Sequence, residues 1–424
     1  MKTFEFKTLG CKVNQYESQA LRERLVRLGL RESTGDPADV YVVNTCSVTQ
    51  KADKDSFDVI RKLNAHNPHA QIFVTGCLAQ NSPEKLKPLK GVACVLGNAL
   101  KENLPNFILF ERENGSLPKE ETLEISSFKR HTRAFLKIQD GCNNGCSYCI
   151  IPKLRGASRS RPLEKIIQEA RNLVDNGYKE IVLCGICVGA YGKDFGLAQG
   201  LVKVIEELEK IEGLLRIRLS SIEATDVSLA LINKMSSAAK LCHHLHIPFQ
   251  SGDDKVLRLM NRKTTVDDYR SLILSLRRLV PDVGITTDMM VGFPGEDEEN
   301  FNNTLIFLRE VHPLRIHVFP FSPRRNTLAF GFTNKVVLKV IKERGRRMKA
   351  VAKELAFAFF SSHLGESLEV LVEATPIPEG AMYKGYSSNY IKVFVAKAQP
   401  IANKIVRLKT VKIYRDGVLA LDTT

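Results

Sequence analysis

Three cysteines stand close together in Gln139-Asp140-Gly141-Cys142-Asn143-Asn144-Gly145-Cys146-Ser147-Tyr148-Cys149. Their spacing is C-x3-C-x2-C. Thiolates held this near one another in a loop can all face one point, which suits a soft metal centre. A tetrahedral structural zinc site needs a fourth ligand, and none stands at zinc-finger spacing. His131 lies upstream, across a strand-like run at residues 134–138. An iron–sulfur cube is normally held by four cysteines. Three leave one iron without a protein ligand, and an open coordination position is where a substrate or cofactor binds. A zinc knuckle, or a cluster that only transfers electrons, is the alternative that spacing leaves open.

Three further cysteines share a setting. Cys11 follows Thr8-Leu9-Gly10, Cys46 follows Asn44-Thr45 and Cys77 follows Thr75-Gly76. Each comes at the end of a strand-like run, at residues 3–8, 40–43 and 71–74. Helical patterns over residues 14–28 and 51–64 follow the first two runs. In a parallel sheet all strand exits lie on one edge, where ligands bind. The three thiols are therefore expected to converge. Gly10, Thr45 and Gly76 are small neighbours that let the backbone approach a bound group. Three ordinary core cysteines are the plainer alternative. Cys94, inside a run at residues 92–96, reads as core.

The loop around Cys142 resembles the radical S-adenosylmethionine (SAM) enzymes. Thr8-Leu9-Gly10-Cys11-Lys12-Val13-Asn14-Gln15-Tyr16-Glu17-Ser18, Asn44-Thr45-Cys46-Ser47-Val48-Thr49 and Thr75-Gly76-Cys77-Leu78-Ala79-Gln80 resemble the amino-terminal domain of the methylthiotransferases among them. The resemblance implies two [4Fe-4S] clusters. One, on Cys142, Cys146 and Cys149, binds SAM and cleaves it to a 5′-deoxyadenosyl radical. The other, auxiliary cluster, on Cys11, Cys46 and Cys77, carries the sulfur to be donated. The segment from Leu9 to Glu17 looks like the branch that acts on carbon 2 of N6-threonylcarbamoyladenosine in the tRNA anticodon stem-loop. Other branches act on isopentenyladenosine in tRNA or on an aspartate of a ribosomal protein. The expected electron donor is a flavodoxin or ferredoxin. A rival from another class is a non-catalytic iron–sulfur protein that binds RNA.

The elements that position the Cys142 loop alternate. Strands are expected at residues 134–139, 180–183, 215–219, 245–249, 284–290 and 316–321, with helices at 162–176, 200–211, 266–279 and 298–311. Six βα units suggest a partial TIM barrel, whose chemistry lies at the carboxyl ends of its strands. Gly185, Ser220, Ser221, Gln250, Ser251, Asp288 and residues 292–296 lie at such ends. The resemblance implies that some of them contact SAM, with Gly185, Gln250, Ser251 and Asp288 the candidates. Where the family usually has threonine and asparagine, this chain has Cys184 and Cys187. They read as small replacements near the cavity rather than as a redox pair. Arg262 reads equally as an anion holder and as a solvated side chain. Cys242-His243-His244-Leu245-His246 has zinc-like composition, but alternation through Leu245 and Ile247 fits a strand.

Residues 101–129 are poorly periodic and read as a linker. Residues 334–362 read as a cation-rich helix whose Val336, Val340, Met348, Val351 and Leu355 face the barrel. From residue 365 the period becomes two. Strands at 367–372, 382–385, 391–396, 405–413 and 418–422 suggest a small antiparallel barrel resembling the TRAM domain. There Tyr383, Tyr386, Tyr390 and Phe394 can stack bases or pack internally. The expected fold class is α/β in three domains. Residues 1–110 form a parallel-sheet domain, residues 128–360 a (β/α)6 radical SAM barrel, and residues 361–424 a TRAM-like barrel. A formal charge of +15 over 424 residues favours a polyanionic partner, nucleic acid foremost. No apolar run is long enough to cross a bilayer, and residues 1–6 do not read as a secretory signal. A cytoplasmic protein is expected.

Overall fold

In a computed structural model the amino-terminal strands are Thr3–Thr8, Arg31–Glu32, Val40–Thr45, Gln71–Gly76 and Val92–Leu96, all parallel. The structure describes residues 2–33, 35–110, 123–128, 131–374, 377, 382–396 and 401–422. Spatially the Arg31–Glu32 strand lies at one edge, then Thr3–Thr8, then the others in chain order. Val40–Thr45 is buried throughout, as a central parallel strand covered on both faces must be. The helices Lys12–Arg27 and Gln50–His66 follow the first and third strands.

The linker expectation fails over its first part. Residues 98–110 form the 3-10 turn Asn98–Asn103 and the helix Leu104–Phe110, and Lys101, Leu104 and Ile108 are buried. Pro105 sits in the first helical turn, where its missing N–H is tolerated, so it starts this helix rather than preventing it. Leu123, Ile125 and Phe128 are also buried. The stretch between, residues 111–122, lies outside the described residues.

Six parallel strands follow in sequence order: Ala134–Lys137, Glu180–Cys184, Arg216–Leu219, His244–His246, Gly284–Val291 and Arg315–Pro320. Isolated bridges Ile217–Leu241 and Ser221–His246 join the third strand to the fourth. The fourth strand is shorter than residues 245–249 because Pro248 has no N–H to pair and Gln250 turns the chain at φ +67°. Alternation gives the sheet two different faces. Ile181, Ile217, Leu245 and Ile285 belong to the large core formed with the surrounding helices. Along the other face, His246 sits 3.3 Å from Asp288, and Asp288 is in register with His317. A filled TIM barrel carries layers of branched aliphatic residues inside. A polar lining marks a lumen instead.

The carboxyl-terminal barrel closes in the order Ser367–Val372, Met382–Ser387, Lys392–Ala396, Gly417–Asp422, Ile405–Tyr414. One pair departs from the antiparallel expectation: Lys392–Ala396 runs parallel to Gly417–Asp422. The tight turn after Tyr414, with Arg415 at φ +53°, forms a hairpin. Its second arm is thereby placed alongside the earlier strand in the same direction.

This small barrel covers the amino ends of the six strands. Tyr390 stacks on His244 with ring centroids 4.3 Å apart and on Tyr386 at 4.9 Å. The Arg218 guanidinium lies 5.0 Å from the Tyr390 ring and donates to the Ser387 and Ser388 carbonyls. Arg133 lies 4.7 Å from the Tyr386 ring. Phe394 is buried in the barrel. Tyr386, Tyr390 and Phe394 are thus occupied by internal packing, which corrects the expectation that they offer themselves to bases; partly buried Tyr383 packs against the same core. Tyr390→Ala is expected to lower stability by about 2 kcal/mol, the low end for a large-to-small change because the ring is only partly enclosed. A reduced thermal midpoint, largely restored in Tyr390→Phe, would confirm it.

The helix Leu338–Ser362 buries Met348, Val351 and Leu355, whereas Val336 and Val340 are only partly covered. Arg344 is buried against Glu296 at 2.7 Å and is not available to a phosphate.

Candidate active site

The exits of the amino-terminal sheet end in register. Thr8 pairs with Asn44, Asn44 with Thr75 and Thr45 with Gly76, so Cys11, Cys46 and Cys77 leave one edge. Gly10 and Gly76 hold φ of +98° and +96°. A Cβ on Gly10 would stand 2.8 Å from Cys46 Cβ, and one on Gly76 would stand 2.4 Å from the Thr45 carbonyl. Only glycine permits both the conformation and the approach. Thr45 Oγ1 donates to the Thr75 carbonyl at 2.6 Å and accepts from the Leu78 N–H at 3.1 Å, fixing two exits to each other. Burial pushes the Cys46 thiol up to about 11, and Cys77 and Cys11 add to the rise against two backbone N–H groups. Thiols that oppose one another's ionisation share one space.

The second trio is held by its own loop. The Cys142 N–H donates to the Gly156 carbonyl at 3.1 Å, and the Asn144 N–H points to Cys142 Sγ at 3.4 Å. Ser147 Oγ donates to the Leu259 carbonyl at 2.8 Å and Asn261 Nδ2 to the Gly145 carbonyl at 2.6 Å. These bonds pin the loop to the exit of the fourth strand. Burial pushes the Cys149 thiol up to about 12, opposed by the Ile151 N–H and reinforced by Cys146 and Cys142. His131 is elsewhere, its ring 4.7 Å from that of Phe128.

Both trios border the exit of the second barrel strand. Cys77 packs with Ile150 and Leu154, just beyond Cys149. Burial raises the Cys184 thiol, Lys137 opposes this, and Cys11 adds to it. Burial also raises the Cys187 thiol, next Asp226, whose carboxylate accepts from Cys187 Sγ at 3.2 Å, with Cys142 a further contributor. Cys184 and Cys187 are therefore buried, protonated and free. Cys242 is buried as strand packing.

A buried charge network joins the two halves. Glu17 meets Arg155 and Lys137 at 2.9 Å each and also pairs with Lys101. Asp140 meets Lys137 at 2.7 Å and Arg155 at 3.0 Å. Asn14 Oδ1 accepts from Arg155 at 2.7 Å. Burial alone would push the Glu17 pKa up, but Arg155, Lys101 and Lys137 outweigh it and hold it well below the usual carboxylate range. Three cations oppose two carboxylates, and the Cys77 charge bears on both Arg155 and Lys101. The surplus positive charge stands beside a thiol trio that is anionic when ligating. Reading the sequence missed this network because its members lie up to 138 positions apart.

Arg262 corrects the solvated alternative: it is buried, forks onto Glu223 at 2.9 and 2.6 Å, and has Nη1 3.9 Å from Cys146 Sγ. Glu223 carried no sequence signal. Among the SAM candidates, Gln250 has Oε1 buried without a partner, as does Ser220 at its Oγ. Asp288 faces the lumen with His246. Gly185 is where the backbone passes Gln139, since a Cβ there would stand 2.8 Å from Oε1. Ser251 Oγ is committed to Thr304 at 3.3 Å and to the Asp253 N–H at 3.2 Å. The loop after the fifth strand is tied to the long helix through Glu296 and Arg344, and burial lifts the Glu296 carboxyl to about 7 despite Arg344.

The profile of the Radical SAM superfamily matches residues 136–308, and that of Uncharacterized protein family UPF0004 matches residues 3–97. The threonylcarbamoyladenosine tRNA methylthiotransferase MtaB of Bacillus subtilis is 41% identical over 98% of this chain and 96% of its own. The tRNA-2-methylthio-N(6)-dimethylallyladenosine synthase of Acetivibrio thermocellus is 33% identical over 97% and 90%. The chain belongs to the radical SAM methylthiotransferase family. Among solved structures, the radical SAM methyltransferase TsrM of Kitasatospora setae, with cobalamin and a [4Fe-4S] cluster bound, superposes with a TM-score of 0.56 at 13% identity. That match covers 76% of this chain and 75% of TsrM and concerns the fold alone.

A methylthiotransferase of this family takes SAM and [4Fe-4S] clusters. The residues present fit those groups. Each thiol trio offers soft donors from one rim, and glycines clear the space next to Cys46. Among the described residues no three His, Cys, Asp or Glu side chains close tightly enough on one point to grip a single ion. Thiols round a four-iron cube stand farther apart, because the cube fills the space between them. The orphaned Gln250 and Ser220 oxygens at strand exits supply unspent polar groups for a ligand such as SAM.

Proposed function

We propose that this methylthiotransferase adds a methylthio group to carbon 2 of N6-threonylcarbamoyladenosine in the tRNA anticodon stem-loop. The observation that carries the reading is that two incomplete thiol trios, from two different sheets, border the loop around Cys184 and Cys187. In it Cys142, Cys146 and Cys149 hold one [4Fe-4S] cluster, and Cys11, Cys46 and Cys77 hold the auxiliary one. When bound, these groups supply reductive cleavage of SAM and donation of sulfur. Gly185, Gln250 and Asp288 contact SAM; Ser251 supports that loop from behind. Burial between the two sheets keeps water from a radical formed there.

The parts of the chain divide the work. Residues 1–110 bring the sulfur-bearing trio, residues 128–360 the SAM site, and residues 361–424 an RNA-binding barrel. Lys335, Lys339, Lys342, Lys349 and Lys353 are exposed along or just before the long helix and suit phosphate contacts. The electron donor is a low-potential carrier such as flavodoxin or ferredoxin. No helix among the described residues is long and apolar enough to cross a membrane, consistent with work on cytoplasmic tRNA.

Anaerobic reconstitution with SAM, dithionite and stem-loop RNA tests the reading. The expected products are 5′-deoxyadenosine and RNA whose modified nucleoside has gained a methylthio group by mass spectrometry. Preferential modification of isopentenyladenosine RNA would move the chain to the other tRNA branch. No 5′-deoxyadenosine at all would favour a non-catalytic RNA-binding role.

A further inference from the structure

Lys12 is the residue directly after Cys11 and the first of the helix Lys12–Arg27. It is exposed, and no hydrogen bond or ion pair engages it among the described residues. A cation in the first helical turn opposes the helix dipole, so its placement does not serve the helix. Its surroundings are specific. Burial holds His317 below the usual histidine value; Asp288 opposes this, and His246, Arg315 and Lys12 reinforce it. Burial also lowers His244, with Arg218, His246 and Lys12 adding to it. For Tyr390, burial is outweighed by Arg133, Lys12, Arg218 and Arg315. A charge felt at once on the fourth strand, the sixth strand and the floor stands over the lumen.

That lumen is ready for an anion. Its acids are already matched: Asp288 sits 3.3 Å from His246, and Glu180 sits 2.7 Å from Arg218. His317 is exposed although it stands on an inner strand face, so solvent and ligands reach this depth. His244 Nδ1 is buried there without a partner. The two adenine modifications that a tRNA enzyme of this family meets differ in charge. Threonylcarbamoyl ends in a carboxylate and a hydroxyl, whereas isopentenyl is a hydrocarbon. A lumen lined with cations and imidazoles desolvates the first with compensation and the second without any.

We propose that Lys12 is a specificity residue that pairs with the threonyl carboxylate of the modified adenine, with Arg315 and His317 facing the same side arm. The inference rests on the substrate assigned above. It places the discriminating charge one residue from a ligand of the auxiliary cluster, so that the group recognised and the carbon modified are set by the same turn of backbone.

The test uses the anaerobically reconstituted full chain and three stem-loop RNAs: threonylcarbamoyladenosine, its methyl ester and isopentenyladenosine. Wild type is expected to bind the acid about tenfold or more tighter than the ester, by fluorescence anisotropy, as a charged hydrogen bond lost on one side implies. Lys12→Gln should erase that preference and raise KM for the acid with kcat little changed. SAM cleavage and the electron paramagnetic resonance signals of both clusters should stay as in wild type. Lys12→Arg should keep the preference. Wild type that binds acid and ester alike overturns the role of Lys12 alone, as does Lys12→Gln that still prefers the acid or that loses the auxiliary cluster signal. Wild type that cleaves SAM but methylthiolates none of the three RNAs overturns the reaction assigned above, and this inference with it.

Discussion

Cys142→Ala is expected to cut 5′-deoxyadenosine formation by more than ~100-fold, beyond what losing a mere supporting partner of a metal site costs. Cys46→Ala, by contrast, should leave that formation within a few-fold of wild type and yield no methylthiolated RNA. The difference follows from where the two thiols are anchored. Cys142 sits in a loop bonded to the Gly156 carbonyl and pinned to residues 259–261. Cys46 ends a strand of the other sheet, braced by Thr45 and Thr75. No hydrogen bond given for either trio runs through the other. Each variant should lose the iron and sulfide of one cluster and keep the signal of the other. Methylthiolated RNA from Cys46→Ala would remove the auxiliary trio from the reaction. Retained SAM cleavage in Cys142→Ala would remove the other.

Glu17→Gln is expected to destabilise the protein by about 3–5 kcal/mol, the usual result of stripping one partner from a buried ionic set. The carboxylate is shared by Arg155, Lys137 and Lys101, and all four side chains are largely or fully buried. Without it three cations face Asp140 alone. The pH dependence gives a second reading. The folded-state pKa of Glu17 is depressed, so its contribution is fully present above its ordinary value of 4.5 and is lost as pH falls through the lower folded value. The gap between wild type and variant should therefore be widest at neutral pH and shrink below 4.5. Denaturant titrations at several pH values measure this. A gap that is small, or constant with pH, would mean that the network is solvated rather than buried.

Much of the site could be read from local sequence, because local rules placed it. Cysteines at strand exits converge once strands are parallel, and parallel strands follow from alternation with helices. The helices Val266–Leu279 and Glu298–Val311 start where capping boxes at Thr265 and Asp297 dictate. Residues whose role comes from a distant partner were not legible. Arg262 has the composition of a surface residue, and only Glu223, folded against it, makes it part of the site. Tyr390 looks like a base-stacking residue until the fourth strand supplies His244 beneath it. Leu104 and Ile108 hid in a segment whose proline resembled a breaker. In each case a contact across the fold overrode what the nearest neighbours suggested.

The small carboxyl-terminal barrel, seated over the strand beginnings with Tyr390 as its plug, turns the lumen into a well with a single mouth. Traffic through one mouth must queue. Small cofactors enter first and a bulky nucleic acid last, since the polymer acts as a stopper once its nucleotide is inserted. Spent fragments trapped beneath it wait until it lifts. If two SAM molecules are consumed per transfer, the debris of the first has to clear before the RNA is seated for the second. Turnover would then be paced by docking and undocking rather than by bond breaking.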